Sequence, residues 1–491
     1  MAITFNEIPA ILMTPGVYSE IDTSNAVQGV QLQPHEILII GQKLAAGTMT
    51  ADTPYACATA YEASLLAGEG SELHLMVRAF KAQNSLTPVT VIGVADNGAG
   101  IQAVQSITWT GPATETRELV FYIGGVRIPV SVTSGDAAAT IETNALAAIS
   151  LVRDLPVVAS ANAGTGIDIT HRHKGTVGNA TVVGHSQMPG ERPPAGVVVT
   201  VTELAPGSTD PTFTAAITAM QDVQYHTVVA GLASATLLGA LVTEMESRGG
   251  AMRAIEGVIF ACENDTRANL TTLGNSFNSE SLCLVGVEVS ALMPSNYEIA
   301  AAIAGIDSAM VQVNPAKNNA GRALVGMRGP KKGSRFTRAE RDILLSDGVA
   351  TLETGADGGL RICRCVTTYQ SNALAIPDTA LQELQTVRLL SAIRYSTRAR
   401  IGLRFEGFSI ASNGTPIPPG ATIATPNTIR GELVSLFLDW QNLGWVEGLD
   451  QFKSELVVER NLSDPNRVDV VLPPDLINSL LITAVKISFR K

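Results

Sequence analysis

From Glu36 onward the chain alternates between two textures. Ile37-Leu38-Ile39-Ile40 is an uninterrupted apolar run closed by Gly41, and comparable runs recur at 89–94, 226–230, 258–262 and 282–287. Runs this short, apolar at nearly every position, predict strands buried on both faces. The stretches between them predict helices. Two short ones open at Thr53-Pro54 and at Ser71, others cover 235–247 and 295–304, and one starts near Asn264, most of them behind a capping residue. Strands alternating with helices of this length predict an α/β layer with a largely parallel sheet.

Two regions break the pattern. Over about 96–205, short alternating runs at Trp109, 119–123, 126–132 and 197–201 are separated by Gly, Thr, Asn and Pro clusters, which predicts antiparallel strands, with one helix over 136–151. Near the end, Asp378 is placed to cap a helix carrying Leu381, Leu384 and Val387. Thr425-Pro426 opens another whose Ile429, Leu433, Leu436, Phe437 and Trp440 form one stripe, with Gly444 to end it. Leu456 and Val458, then Val468 and Val470, alternate around an Asp464-Pro465-Asn466 turn and predict a hairpin. Beyond Pro473-Pro474, Val485, Ile487 and Phe489 share one face of a terminal strand. Such a strand either folds back on its own sheet or completes a neighbour's.

The expected fold class is therefore α/β and α+β, multidomain. An extended arm (1–33, with Pro15 to Ile21 its most extended part) precedes an α/β domain (34–95 plus 206–365) that carries an inserted mainly-β domain (96–205). A C-terminal α+β domain (366–474) and a C-terminal arm (475–491) complete the chain. For 491 residues, two to four domains is the expected number.

Composition narrows the function. Thirty-four basic against 45 acidic residues leave a net charge of −11, which argues against a nucleic-acid partner. The opening stretch, broken by Glu7, Pro9 and Pro15, does not read as a signal peptide, and no window suits a membrane helix, so a soluble chain without membrane insertion is expected. A mean hydropathy of +0.21 is high for a soluble monomer and suggests burial between subunits. The five cysteines read as buried free thiols.

No catalytic, cofactor or metal site is expected. Gly98-Ala99-Gly100-Ile101-Gln102-Ala103 fits a dinucleotide fingerprint after a strand, but residues 107–112 read as strand and turn rather than the helix that would hold a pyrophosphate. Asp168, His171 and His173 lack a fourth ligand and sit among Arg172 and Lys174, so the segment reads as a solvent-exposed hairpin. Two basic clusters stand out: Arg328, Lys331, Lys332, Arg335, Arg338 and Arg341, and then Arg388, Arg394, Arg398, Arg400 and Arg404. Each reads either as a solvated face or as a contact with an acidic protein.

Three stretches resemble the tail sheath proteins of Mu-like contractile phages and prophages. They are Phe5–Pro9 with Glu20–Ala26; Arg335–Leu345 with Asp347–Thr351 and Thr367–Gln370; and Val457–Asn461 with Asp464–Asp469 and Leu472–Leu476. The resemblance implies a non-enzymatic subunit that stacks as hexameric rings around a tail tube and contracts to drive the tube through the host envelope. Its implied partners are further copies of itself, the tube protein, and baseplate and tail terminator proteins, in a virion tail assembled in the bacterial cytoplasm. It also implies that Val17, Tyr18 and Ile21 and Val485, Ile487 and Phe489 act as inter-subunit arm strands, and that Leu456, Val458, Val468 and Val470 form the acceptor hairpin. The expected tube contact is Arg388, Arg394, Arg398 and Arg400. A non-contractile virion protein and a soluble α/β enzyme are the competing readings.

Overall fold

The structure is a computed structural model and describes residues 14–19, 30, 34–162, 165–418 and 420–490. The chain divides into a larger unit, whose body is 34–391, and a smaller one built on 392–477.

The larger unit is organised by a nine-stranded sheet. Its strands run, in order, Ala323–Arg328, Gly359–Arg364, Val349–Thr354, Leu282–Val287, Val258–Asn264, Thr227–Ala230, Ile37–Lys43, Val89–Ala95 and Pro54–Cys57. Pairing is parallel from Val349–Thr354 across to Val89–Ala95 and antiparallel only at the two edges. Continuous apolarity explains this: every residue of Leu282–Val287 is buried, as are Ile37 to Ile40, so both faces need cover. Part of that cover is the helix pair Glu72–Gln83 and Asn296–Val313, which pack on each other and on the central strands. The two helices meet closely at Gly305, where a β-carbon would stand 2.9 Å from the Phe80 carbonyl oxygen.

Some expected elements shift. The segment at Thr53-Pro54 is an edge strand, not a helix: Pro54–Cys57 pairs with Val89–Ile92, and proline is tolerated at the first residue of an edge strand because no ladder bond is lost there. The helix begins afterwards at Ala60, capped by Thr59. The helix expected near Asn264 starts at Arg267, capped by Thr266, and Asp378 caps no helix. Its carboxylate instead accepts the Tyr369 hydroxyl at 2.8 Å and the Ala380 N–H at 2.9 Å, closing a turn, while the helix starts at Leu384.

Residues between Gln102 and Ala205 form a four-stranded antiparallel sheet, a three-stranded one and the helix Ala138–Ser150 around a core of their own that includes Trp109, Phe121, Ile141 and Ile149. Ile128, Val130 and Val132 point inward while Arg127, Pro129 and Ser131 point out, the period-2 pattern of a half-buried strand. In the smaller unit, helix Pro426–Asn442 starts at a Thr425 capping box and buries the expected stripe. Trp440, fully buried, donates through Nε1 to Ser396 Oγ at 3.0 Å, and Phe437 stacks on Phe452 with centroids 4.1 Å apart.

The long helix Leu384–Phe405 runs through the division at 391/392, and its first turns are held in the larger unit by Arg388 together with the buried Leu384. Arg388, 5% exposed, meets Asp307 Oδ2 through Nε (3.0 Å) and Nη2 (2.6 Å), and donates to Thr227 Oγ1 (2.8 Å) and the His226 carbonyl. Asn319 holds the other Asp307 oxygen at 2.7 Å. Removing one partner strands a buried charge, so Asp307→Ala is expected to cost about 3–5 kcal/mol in urea unfolding, whereas the double change Asp307→Leu/Arg388→Met restores most of it. A loss in the double variant equal to the sum of the two single-variant losses would show that the pair is not coupled.

Candidate assembly surfaces

The histidine pair is not a solvent-exposed hairpin. His171 and His173 are 2% and 0% exposed on strand Gly166–Lys174, against the α/β body. Asp168 lies on the opposite face of that strand, where it accepts from Ser106 (2.8 Å) and Asn162 (3.0 Å). The Glu72 amide donates to His173 Nε2 (3.0 Å), leaving Nδ1 to carry the proton given to Asp96 (2.7 Å). Asp96 Oδ2 also accepts the Lys174 N–H, and Gln42 bridges Asp96 to the Lys174 carbonyl. This network fastens the inserted sheets to the body, and among the described residues no cluster has the make-up of a metal site. Gly98 to Gly100 form a turn followed by strand Gln102–Trp109, so no helix end faces a phosphate there. The five thiols are unpaired, four buried and Cys363 half-buried.

Glu72 is the costly member of the network. Burial pushes its carboxyl up to about 8, opposed by the Gln42 N–H at 2.5 Å, and its Oε1 has no partner. Sequence reasoning missed this residue because its surroundings come from distant segments: Gln42, His173 and Gly231.

The expected acceptor ribbon forms, but only as two strands. Val457–Arg460 pairs antiparallel with Val468–Val471, with Val458 opposite Val470 and Arg460 opposite Val468. Leu456 falls outside the ladder: it caps helix Leu449–Glu455, donates to the Phe452 carbonyl and is 1% exposed, a core residue rather than part of an acceptor edge. Neither strand has a second ladder partner among the described residues. Val457, Val470 and Val471 are 45%, 42% and 61% exposed. The chain then returns through Pro473-Pro474 to pair Asp475–Leu476 with Val446–Glu447, so the residues without a ladder begin later than 475.

Residues 478–490 carry no strand or helix assignment, and Val485, Ile487 and Phe489 are 78%, 86% and 82% exposed. At the other end, Val17 and Tyr18 are exposed and in no strand, Tyr18 donating to the Thr14 carbonyl, while Ile21 lies outside the described residues.

The arginine set expected to touch the tube is split by the fold. Arg388 is buried on Asp307, as above, and Arg400 is held by Glu432 (3.1 Å) and Asp439 with its side chain 14% exposed. Both are therefore internal ion pairs rather than surface contacts. Arg394 is half-buried and Arg398 exposed.

Residues 207–368 match the family model described as the phage tail sheath protein central domain, and 377–490 match the phage tail sheath C-terminal domain. The chain is 32% identical over 489 residues, 100% of both sequences, to the Mu-like prophage FluMu tail sheath protein of Haemophilus influenzae. Among solved structures, the sheath tail protein of Listeria innocua gives a TM-score of 0.50 at 12% identity over 92% of this chain and 94% of that one. A chain of the anti-feeding prophage baseplate in its contracted state gives 0.50 at 14% over 97% and 99%. These two likenesses concern the fold alone.

Glu72 makes stability depend on pH. Between its ordinary 4.5 and about 8 the folded protein keeps a proton that the unfolded chain has released. Stability therefore falls as pH rises through that window, by up to ~1.4 kcal/mol per unit, and levels off above it. Glu72→Gln is expected to flatten this alkaline loss in urea titrations at several pH values; an unchanged slope would exclude Glu72 as its source.

Proposed function

Because this chain belongs to the Mu-like phage tail sheath family, whose members are structural tail proteins and not enzymes, we propose that it is the contractile subunit of a virion tail. Copies stack as hexameric rings around the tail tube, between baseplate and tail terminator proteins, after assembly in the bacterial cytoplasm. Contraction exchanges a metastable packing of rigid domains for one of lower free energy and drives the tube through the host envelope, with no nucleotide required.

The observation that carries this reading is a two-stranded ribbon with no further ladder partner among the described residues, beside exposed apolar residues outside any strand. A two-stranded ribbon of four-residue strands offers open edges. Val485, Ile487 and Phe489 beyond 477 are exposed and in no strand, and we assign Val17, Tyr18 and Ile21 as the N-terminal donor. Strand addition between copies satisfies both at once, with backbone hydrogen bonds supplying affinity and alternate side chains supplying register. The domain division 34–95 plus 206–365, 96–205 and 366–474 is our proposal for the pieces that move, with the terminal arms as tethers. No helix among the described residues is long and apolar enough to cross a membrane.

Negative-stain microscopy of the full-length chain is expected to show hollow tubes or stacked rings, and removal of Thr483 to Lys491 is expected to abolish them while leaving a folded particle. Tubes that persist without those residues would remove the donor role from the C-terminal arm. For the tube contact, Arg394 and Arg398 are the remaining candidates. Charge reversal at both is expected to lower extended assembly on tubes about tenfold; unchanged assembly would remove that assignment.

A further inference from the structure

Arginines of this protein commonly hold a carboxylate: Arg78, Arg127, Arg253, Arg364 and Arg388 all do. The basic cluster that begins at Arg328 is different. Arg328, Lys331, Lys332 and Arg335 line an open groove of about 680 Å³ together with the loop around Ser186 and the turn at Asp357. Among the described residues none of these four cations is in an ion pair. The carboxylates on the same walls are already engaged. Glu191 accepts from Arg127 (2.9 Å) and Tyr122 (3.0 Å), and Asp357 accepts from the Gly359 N–H and Arg361, each at 3.2 Å.

The cations are also positioned. Arg335 Nε donates to the Pro330 carbonyl at 3.0 Å, and Arg328 Nη1 rests 3.6 Å from Met188 Sδ. At the groove wall Ser186 has φ +49°, in the left-handed region, and its hydroxyl is buried without a partner. The N-terminus of the adjacent helix Arg338–Ser346 is closed by its own Thr337–Glu340 capping box, so this is not a backbone cradle for a lone phosphate. Spaced cations along an open groove suit several carboxylates presented by a protein surface.

The complementary pattern is in the same sequence. Glu447, Asp450, Glu455 and Glu459 are exposed, and none is in an ion pair among the described residues. In a chain of net charge −11, a patch of cations and a run of exposed carboxylates, neither in an ion pair among the described residues, are complementary in charge. We propose that the groove lined by Arg328, Lys331, Lys332 and Arg335 receives the acidic segment 447–459 of a second copy of this chain. The proposal rests on the sheath reading in requiring that copies pack against each other. It adds a salt-sensitive side-to-side contact, separate from strand addition, that sets the register of neighbouring copies.

Equal amounts of isotope-labelled and unlabelled full-length protein, assembled together, are treated with a carbodiimide that joins lysine amines to carboxylates in contact, and the products are read by mass spectrometry. Mixed-isotope links from Lys331 or Lys332 to Glu447, Asp450, Glu455 or Glu459 are expected. Lys331→Glu/Lys332→Glu is expected to lower the assembled fraction at moderate salt about tenfold, and Glu455→Lys/Glu459→Lys in the same chain to recover it. Assembly without mixed-isotope links at either lysine overturns the groove contact while leaving the sheath reading standing. Links from these lysines to the tube protein alone assign the groove to the tube and overturn the proposal. A wild-type chain that assembles neither alone nor on tubes overturns both.

Discussion

Two strands of four residues do not sustain a sheet in water. Their outward backbone donors and acceptors have no ladder partner, and a ribbon of this size needs a third strand or a packed helix to persist. Val457–Arg460 and Val468–Val471 have the helix: the ribbon lies beside Pro426–Asn442. Among the described residues they have no third strand. Val485, Ile487 and Phe489 are exposed, and on the reading proposed above they complete that sheet in a neighbouring copy.

The larger unit is packed around its own sheet. The central parallel strands of the nine-stranded sheet are buried on both faces, and its core is continuous from Ile37 to Leu384. Arg388 and Asp307 pin the start of the long helix to that body, with the guanidinium also over the Phe260 ring at 5.7 Å. Arg400, three turns on, is satisfied by Glu432 and Asp439 on the helix that carries the Trp440 core. The start of the helix is thus ion-paired within the larger unit, and its later part within the smaller one, where Arg404 also lies 3.5 Å from Glu432. The inserted sheets are fastened similarly, through Asp96, His173 and Gln42.

Local patterns were legible in the sequence where the deciding contacts are local. Continuous apolar runs marked the parallel strands, Ser71 and Thr425 marked their helices, and the Leu433 to Trp440 stripe is buried as its spacing requires. Illegible were the choices made by distant partners. Arg388 and Arg398 look alike in sequence, but Arg388 is buried on an aspartate 81 positions away while Arg398 is exposed. Pro54 is as suitable for the first turn of a helix as for an edge strand, and the decision belongs to Val89–Ile92. His171 and His173 read as exposed because the surface that covers them comes from the body, not from their own hairpin. Leu456 alternates correctly with Val458, but a helix end claims it first.

The most direct test of strand addition is amide hydrogen exchange, compared between dispersed and assembled full-length protein. The account predicts that amides within 485–489, which have no ladder partner in the single chain, become strongly protected on assembly together with one edge of the 457–471 ribbon. Free exchange at 485–489 in the assembled form would contradict it.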